Sequence, residues 1–504
     1  MPSRRAVLRS VLGVFAGLAA GQTAYAGPDT STTAASLIQV DPNNVRVQSF
    51  EGFGCSLCWW ANQFGNHPQA ETLADLIFSL KPIEWNGASV PGLGMQVARY
   101  NVGGGGGGVS VNGEWEKTSG NMPGYKALQS FWLNWFSQDP TSASWDWSRD
   151  ANQRAILAMA VARGVNRVEL FSNAPPWWMD YNHSTAGSDG GGDNLQSWNH
   201  EAFAIYLATV AKRVLEQWHV PVTSVEPFNE PSAGWWRYPQ GQEGCHFNRE
   251  TQGIVLRHLR AHLDQRGLDK VRIAASDENS IDTAIATWNG LDGFVRAVVG
   301  QVNAHGYSGL SPYRGGGRRP LHDSVRHGGK KLWMSEYGDP DTSGRSLADQ
   351  LLLDLRDLQP DAWVYWQPLD GSNWGLIDAD LGGNSIGNAT AKYYVLAQFA
   401  RHLRQGCRLL RTTDAQALVA HHPGTQTLAL IGVSGAAPAQ FRFDLSRFGQ
   451  VTGGVKGWLT ELSGDAQAAK YRSLQDLTVA RDQSVTLQLP ANAVGTLELD
   501  GVTI

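Results

Sequence analysis

The chain has 504 residues, a formal net charge of −5 and 17% charged residues, and it contains 57 glycines and 20 tryptophans. This length accommodates one large domain together with a smaller one. The mildly acidic balance, with no basic cluster beyond the N-terminus, argues against a nucleic-acid-binding protein, and the composition is not that of a disordered chain. Abundant glycine and tryptophan suit a globular enzyme with long surface loops and aromatic binding surfaces.

Residues 1–26 have the pattern of an export signal. Arg4 and Arg5 form a twin arginine, an apolar stretch runs from Val11 to Ala20, and residues 24–26 make a small-x-small cleavage site. The apolar stretch is shorter than the roughly 20 residues that span a membrane, so it does not predict an anchor. We expect a secreted or periplasmic protein whose twin arginine favours the twin-arginine route, with residues 27–36 as a linker.

The four cysteines are Cys55, Cys58, Cys245 and Cys407. The first two form a C-x-x-C pair, but a zinc site needs two further ligands nearby, and a thioredoxin-like context for a redox motif is absent. Two interpretations stay open, namely buried thiols or one or two disulfides formed after export. We expect neither a metal nor a cofactor.

From residue 51 onward, strand patterns alternate with helix patterns. The predicted strands begin with residues 51–54 and continue with 96–102, 166–171, 223–228, 270–275, 301–304, 331–335 and 362–366. The predicted helices cover residues 69–80, a segment capped by Ser148, and residues 201–218, 250–265, 346–358 and 389–403. Eight strands mostly separated by helices predict a (β/α)8 barrel over residues 51–404, with its active site at the carboxyl ends of the strands.

Beyond residue 405 the strand patterns follow one another without helices. They cover residues 417–420, 427–433, 440–444, 457–462, 477–480, 485–489 and 496–499. This predicts a β-sandwich over residues 405–504, joined by strands from residues 37–50 with a turn at residues 41–44. The sandwich is either a rigid support or a carbohydrate-binding module. Its single tryptophan, Trp458, favours the support.

Two glutamates lie where predicted strands end. Glu230 follows Asn229 and precedes Pro231, which stops a strand because proline donates no ladder hydrogen bond. Glu336 ends another strand, and in the barrel count the two glutamates terminate strands four and seven. Retaining glycoside hydrolysis needs two carboxylates about 5–5.5 Å apart, one as acid/base and one as nucleophile. We expect Glu230 to stay protonated near neutral pH and Asn229 to hydrogen-bond a sugar 2-hydroxyl.

Four stretches that include these residues resemble glycoside hydrolase family 30, and within it the endo-β-1,6-galactanase branch. They are Glu-Gly-Phe-Gly-Cys-Ser-Leu-Cys-Trp-Trp-Ala at residues 51–61, Pro-Phe-Asn-Glu-Pro at 227–231, Gln-Glu-Gly-Cys at 242–245 and Trp-Met-Ser-Glu-Tyr-Gly at 333–338. The resemblance extends over nearly all of the chain beyond the export segment. It implies that Glu230 is the acid/base and Glu336 the nucleophile.

The resemblance also implies roles for accessory residues. Arg99 matches an arginine that hydrogen-bonds near the nucleophile, and His305 and Tyr307 match a pair on strand six, with the tyrosine orienting the nucleophile. Trp366 matches the tryptophan that floors the first sugar subsite. One departure concerns Asn173, which lies where glucosylceramidase-like members carry Ser-Pro-Trp. It implies different sugar recognition and argues against a glucosylceramide substrate.

Further candidates rest on position alone. Adjacent tryptophans occur at residues 59–60, 177–178 and 235–236, and since one of each extended pair must point away from the cleft, we expect Trp59, Trp178 and Trp235 as sugar platforms. Glu278, at the end of strand five, is a candidate subsite residue. The glycine run at residues 103–108 lacks a phosphate-loop ending and is expected to form a flexible rim. Structural alternatives stay open: an ion pair for Arg99, core packing for the tryptophans and His305.

The combined prediction is a secreted, monomeric, retaining endo-β-1,6-galactanase that acts on the side chains of arabinogalactan. It needs no cofactor and has no nucleic-acid or membrane partner. Alternative activities are an exo-β-1,6-galactobiohydrolase or another family 30 specificity, such as a β-1,6-glucanase, a xylanase or a β-glycosidase. A remote alternative of a different class is a non-catalytic carbohydrate-binding protein on the same scaffold.

Overall fold

A computed structural model describes residues 37–106, 110–307 and 317–504. The predicted export segment and linker, and part of the predicted glycine rim, lie outside these residues. No helix within the described ranges is long and apolar enough to cross a membrane.

Eight parallel strands close into a barrel, as predicted. Closure is completed by the eighth strand, which pairs with the first so that Tyr365 lies opposite Cys55. The strands are almost continuously buried because both faces of a parallel barrel are covered, by helices outside and by packed side chains inside. In chain order they are Gly52–Ser56, Val97–Asn101, Arg167–Phe171, Val222–Glu226, Arg272–Glu278, Gln301–His305, Lys331–Glu336 and Ala362–Tyr365.

Helices follow the strands and cover the outside of the barrel. They are Cys58–Phe64, Ala70–Phe78, Ala151–Ala162, His200–Glu216, Arg249–Gln265, Ile281–Gly290, Gly293–Val298, Arg318–His327, Arg345–Leu353 and Ala391–Ala400. The predicted cap at Ser148 is wrong. The helix begins at Ala151, after Asp150 in a left-handed conformation, and the Ser148 hydroxyl instead donates to Asp146.

The side domain is built from a nine-stranded sheet. Its strands, in spatial order, are Arg472–Ser473, Val455–Glu461, Ala493–Leu499, Thr427–Val433, Ala417–His422, Arg408–Thr412, Leu37–Val47, Ala439–Asp444 and Ser484–Leu489. Side chains from both halves of this sheet, among them Leu430, Phe441 and Leu487, share one hydrophobic core. The expected β-rich side domain that includes N-terminal chain is therefore confirmed.

Strand Leu37–Val47 connects the two halves of the side domain. Its first residues pair in parallel with Ala439–Asp444, and register irregularities follow between Val40 and Val45 where it pairs antiparallel with Arg408–Thr412. The predicted turn at residues 41–44 is therefore wrong, since an irregular strand bends there instead of reversing.

The side domain packs on the last barrel helix. Gln398 of that helix donates to the Thr460 hydroxyl at 3.0 Å, and the Thr496 hydroxyl donates to the Gln398 carbonyl at 2.8 Å. Three short strands after the eighth barrel strand form a separate small sheet. They are Leu369–Asp370, Ile377–Asp380 and Ser385–Ala389.

The structure also tests two smaller predictions, on the cysteines and on the glycine run. All four cysteines are free and buried, so the thiol interpretation holds and the disulfide interpretation does not. The described glycines of the predicted rim, residues 103–106, are buried rather than exposed. A Cβ atom at Gly104 would lie 2.2 Å from the carbonyl oxygen of Pro175, so glycine is needed there for close backbone packing.

Candidate active site

A cavity of about 1250 Å³ opens at the carboxyl ends of the barrel strands. Its walls come from the loops that follow most of the strands, together with the small three-stranded sheet. Glu230 and Glu336 both line it, and their side chains are almost completely buried. The two residues that the sequence singles out therefore meet at the mouth of the barrel, where (β/α)8 enzymes carry their chemistry.

Glu336 is the last residue of the seventh strand, and both of its carboxyl oxygens are held. Oε1 accepts a hydrogen bond from the Tyr307 hydroxyl at 2.7 Å, and Oε2 accepts one from Nη1 of Arg99 at 3.1 Å. Burial raises the pKa of Glu336, and the positive charges of His305 and Arg99 act against that rise. The carboxyl group is thereby fixed in one orientation towards the cavity.

Glu230 lies four residues beyond the fourth strand, in a left-handed conformation with φ of 49°. Its amide donates to the carbonyl of Asp277 at 2.8 Å, and its carbonyl accepts from the Trp236 indole at 2.9 Å. Oε1 of its carboxyl group accepts from Nδ2 of Asn279 at 2.7 Å. Asp277 lies at the end of the fifth strand and Asn279 directly follows it, so this neighbouring strand holds Glu230 in place.

His305 ends the sixth strand and lies between the two glutamates. Its Nδ1 atom is 3.2 Å from Oε1 of Glu230 and 3.5 Å from Oε1 of Glu336, and its Nε2 atom is 3.2 Å from Oδ1 of Asp277. Although burial opposes a charge on the imidazole, the carboxylates of Glu336 and Asp277 raise the pKa of His305 well above its ordinary value. The three carboxyl groups around His305 therefore favour its protonated form.

The positions of Glu230, Glu336 and His305 also set an upper limit on the distance between the carboxyl oxygens of the two glutamates. One oxygen of Glu230, one oxygen of Glu336 and a ring nitrogen of His305 all lie within 4.8 Å of one another. This upper limit for the nearest oxygens is closer to the roughly 5–5.5 Å between the carboxyl groups of retaining glycosidases than to the 6.5–9.5 Å of inverting ones.

The same three side chains are close enough to ligate an ion, and so are Glu201, His258 and His262 on the outer helices.

Arg99, on the second strand, lies fully buried beneath the cavity. It contacts three carboxyl groups, with Nε 3.0 Å from Glu169, Nη1 3.1 Å from Glu336 and Nη2 2.5 Å from Asp277. Although burial acts in the opposite direction, Arg99 and His305 hold the pKa of Asp277 well below its usual range. Arg99 is therefore both a structural ion-pair partner and a direct contact of Glu336.

Aromatic side chains form much of the cavity wall. Trp59 and Trp366 meet edge to face with ring centroids 4.9 Å apart, and Nζ of Lys126 lies 3.8 Å from the centroid of the Trp59 ring. Trp235 lies at the rim with 45% of its surface exposed. Asn229 also lines the cavity, and its buried Oδ1 accepts no hydrogen bond from the described residues.

The structure places three predicted site residues away from the cavity. Trp178 is buried against Trp132 and donates its indole hydrogen to the Trp132 carbonyl at 3.1 Å, so it presents no platform. The side chain of Glu278 points to the outside of the barrel, where the hydroxyls of Ser232 and Thr287 donate to it at 2.6 and 2.8 Å. Asn173 is buried and is not part of the cavity lining.

Sequence reasoning also missed residues that line the cavity. Asn279 contacts Glu230 directly, and Lys126, Asp370, Trp374 and Asp378 contribute to the walls. Asn279 directly follows the fifth strand, so its position at this end of the barrel had a signal in the sequence, although its contact with Glu230 had none. The others lie on loops and on the small sheet, whose positions no pattern in the sequence indicates.

A (β/α)8 barrel with two close glutamates at the ends of the fourth and seventh strands, in a cavity walled by aromatic rings, has the arrangement of a glycoside hydrolase. A family model for O-glycosyl hydrolase family 30 matches residues 35–305. The chain belongs to this family.

Relatives from characterised proteins agree with this assignment. The chain is 42% identical over 471 residues to an endo-β-1,6-galactanase of Hypocrea rufa, covering 93% of this chain and 95% of that protein. It is 24% identical to an exo-β-1,6-galactobiohydrolase of Bifidobacterium longum subsp. longum, covering 95% of this chain but only 41% of that longer protein. The sequence is thus most like the galactanase branch, and the protein is a glycosidase that acts on a polysaccharide.

Solved structures support the fold. A conserved exported protein from Bacteroides fragilis superposes with a TM-score of 0.73 at 19% identity, covering 92% of this chain and all of that one. The catalytic domain of the family 30 xylanase C from Talaromyces cellulolyticus superposes with a TM-score of 0.67 at 17% identity, with the same two coverages. At these identities the similarity concerns the architecture alone.

Proposed function

We propose that this protein is an exported, retaining endo-β-1,6-galactanase that hydrolyses the β-1,6-galactan side chains of arabinogalactan. The observation that carries the proposal is the approach of one oxygen of Glu230 and one oxygen of Glu336 to within 4.8 Å, with His305 between them. This spacing suits direct attack by one carboxylate, because it is close to the roughly 5–5.5 Å between the carboxyl groups of retaining enzymes, whereas an inverting enzyme holds the two groups about 6.5–9.5 Å apart to admit a water molecule.

In this mechanism Glu336 is the nucleophile and Glu230 the acid/base. A carboxylate oxygen of Glu336 bonds to the anomeric carbon while the bond to the glycosidic oxygen breaks and that oxygen takes the proton of Glu230. Water then attacks the glycosyl-enzyme, Glu230 accepts a proton from it, and Glu336 is released. Tyr307 and Arg99 hold the nucleophile in its attacking orientation from opposite oxygens.

The substrate part of the proposal rests on the sequence relationship and on the cavity wall. The characterised relative at 42% identity is an endo-β-1,6-galactanase. Trp59, Trp366 and Trp235 offer rings on which sugar faces can stack, and the unpaired Oδ1 of Asn229 offers an acceptor for a sugar hydroxyl.

Export and monomeric action belong to the same proposal. Export is supported by the twin arginine and the small-x-small site within residues 1–26. Monomeric action is part of the proposal because the residues of one chain already form a cavity that holds both glutamates.

The test is product analysis on de-arabinosylated β-1,6-galactan, with β-1,6-glucan and glucuronoxylan in parallel and Glu336→Gln as the inactive control. A ladder of galacto-oligosaccharides from the galactan alone supports endo action. Galactobiose as the single product would favour the exo activity of the Bifidobacterium relative, and activity only on glucan or xylan would overturn the substrate. Proton NMR of the first product completes the test, because an inverted anomeric configuration contradicts the mechanism.

A further inference from the structure

Asn279 is a cavity residue to which the mechanism above gives no part. It follows the fifth strand directly, its side chain lines the cavity, and its Nδ2 donates to Oε1 of Glu230 at 2.7 Å. A side-chain amide nitrogen is a donor only, so the carboxyl oxygen that it faces must act as a hydrogen-bond acceptor.

The two carboxyl oxygens of Glu230 are therefore unequal. Oε1 accepts from Asn279 and lies 3.2 Å from Nδ1 of the cationic His305, so donors already face it. Oε2 accepts no hydrogen bond from the residues that the structure describes. A proton on Oε1 would point at another donor, whereas a proton on Oε2 is free to reach a substrate oxygen.

We propose that Asn279 is the positioning residue of the acid/base: by occupying Oε1 of Glu230, it places the transferable proton on Oε2, towards the glycosidic oxygen. This inference rests on the proposed role of Glu230. It assigns the acid/base role to one of the two carboxyl oxygens of Glu230. It attributes the choice of that oxygen to Asn279, which follows a different strand.

The backbone around Glu230 explains why such a residue is needed. Glu230 stands outside its own strand in a left-handed conformation, and the amide contact to the Asp277 carbonyl fixes only its main chain. The terminal torsion of a glutamate is broad and permits the two oxygens to exchange places. The hydrogen bond from Asn279 removes that freedom.

The test compares substrates that do and do not need a proton on the leaving group. We measure kcat/KM of Asn279→Ala on β-1,6-galacto-oligosaccharides and on the 2,4-dinitrophenyl glycoside of β-1,6-galactobiose. The dinitrophenolate leaves without protonation, so attack by Glu336 alone determines kcat/KM for that substrate. We expect a loss of about 10- to 100-fold on the oligosaccharides and less than about 3-fold on the aryl glycoside.

Deglycosylation supplies a second readout. Because Glu230 must also accept a proton from water, kcat of Asn279→Ala on the aryl glycoside should fall, and azide should restore it, since azide attacks without a base. The full-chain variant Asn289→Ala is the matched control, because this exposed asparagine lies on the next helix, outside the cavity lining, and its side chain accepts from the Ser324 hydroxyl at 2.7 Å. Its kinetics should equal those of the wild type.

The pH profile tests whether the side chain at position 279 contacts the carboxyl group that titrates in the reaction, while the comparison of the two substrates separates positioning from a merely structural role. Asn279→Asp replaces the donor with a second carboxylate beside Oε1, which favours a shared proton. The basic limb of the kcat/KM profile on oligosaccharides should then move up by about one pH unit. Equal losses on both substrates, or an unmoved profile in Asn279→Asp, would overturn the proposal.

Failure of the proposed function gives a different result. If Glu230→Ala lowers kcat/KM equally on both substrates, Glu230 is not the acid/base, whatever the Asn279 variants do. If the wild type cleaves neither galactan substrate, the substrate assignment fails instead.

Discussion

Nε2 of His305 lies 3.2 Å from Oδ1 of Asp277, directly beneath the two glutamates of the cavity. This contact orients the ring so that Nδ1 faces Glu230 and Glu336 together. Asp277 also contacts Arg99, and the Ser335 hydroxyl donates to it at 2.6 Å. The floor of the site is therefore a continuous network of charges, in which each of these buried carboxyl groups has a cation or a donor beside it.

The first prediction concerns turnover. Replacing Glu336 by glutamine keeps the shape of the side chain but removes the nucleophile, so kcat on galactan should fall by at least about 10³-fold. The measurement is reducing-sugar release, with binding of galacto-oligosaccharide followed by calorimetry. A non-catalytic carbohydrate-binding protein would instead show unchanged behaviour in both measurements.

The second prediction concerns the stability of the network under the cavity. Arg99→Met leaves Glu169, Asp277 and Glu336 without their common cation, and the free energy of unfolding should fall by about 3–5 kcal/mol. Urea titration gives this quantity. Arg442→Met is the matched control, because its pair with Asp482 is exposed to solvent and should contribute little to the free energy of unfolding.

The third prediction concerns pH. Asp180 is fully buried, neither of its carboxyl oxygens has a partner among the described residues, and burial together with Glu116 raises its pKa well above the ordinary value. The folded state therefore keeps a proton that the unfolded chain releases near pH 3.9, so stability is lost as the pH rises above that value towards the raised pKa. Asp180→Asn removes this loss and should raise the free energy of unfolding at pH 7.5 by roughly 1–3 kcal/mol more than at pH 4.

Urea titrations at the two pH values check this expectation. The control is Asp189→Asn, since that aspartate is exposed and its hydrogen bond from Lys117 lowers its pKa. It should give no gain at pH 7.5. An Asp180→Asn effect that is the same at both pH values would contradict the assignment of a retained proton.

The fourth prediction concerns substrate binding at the rim. Trp235→Ala should raise KM on galactan about 5- to 20-fold with little change in thermal stability, because the ring is half exposed and its stacking surface faces the cavity. Trp198→Ala provides the comparison, since that ring is 69% exposed and does not line the cavity. If both variants changed KM equally, the rim position of Trp235 would have no special role.

The sequence predicted those parts of the site that depend on strand ends. Glu336, Tyr307 and Arg99 lie on or directly after barrel strands, and parallel strands bring their carboxyl ends together whatever the loops do. Asn279 escaped prediction because its contact depends on the left-handed backbone at Glu230, which has no signature in sequence.

The wrong predictions have physical reasons of their own. Trp178 belongs to a short helical turn, Trp177–Met179, in which both adjacent rings are buried, so the expectation for an extended pair does not apply. Residues 477–480 show strand-like alternation but lie in a loop whose Leu477 and Val479 cover the core of the side domain. Alternation reports burial on one side, and a loop crossing an apolar surface has that property as well.

The position of Leu37–Val47 inside the side sheet limits when the side domain can fold and where the chain can be truncated. This strand leaves the ribosome early, yet its partners include Thr413, whose hydroxyl accepts from the Gln39 amide 374 residues away. Such long sequence separation delays assembly until nearly the whole polypeptide exists. A fragment that ends before residue 405 would leave this strand without either neighbour, and one trimmed to the C-terminal strands would lack the strand that joins the two halves of the sheet.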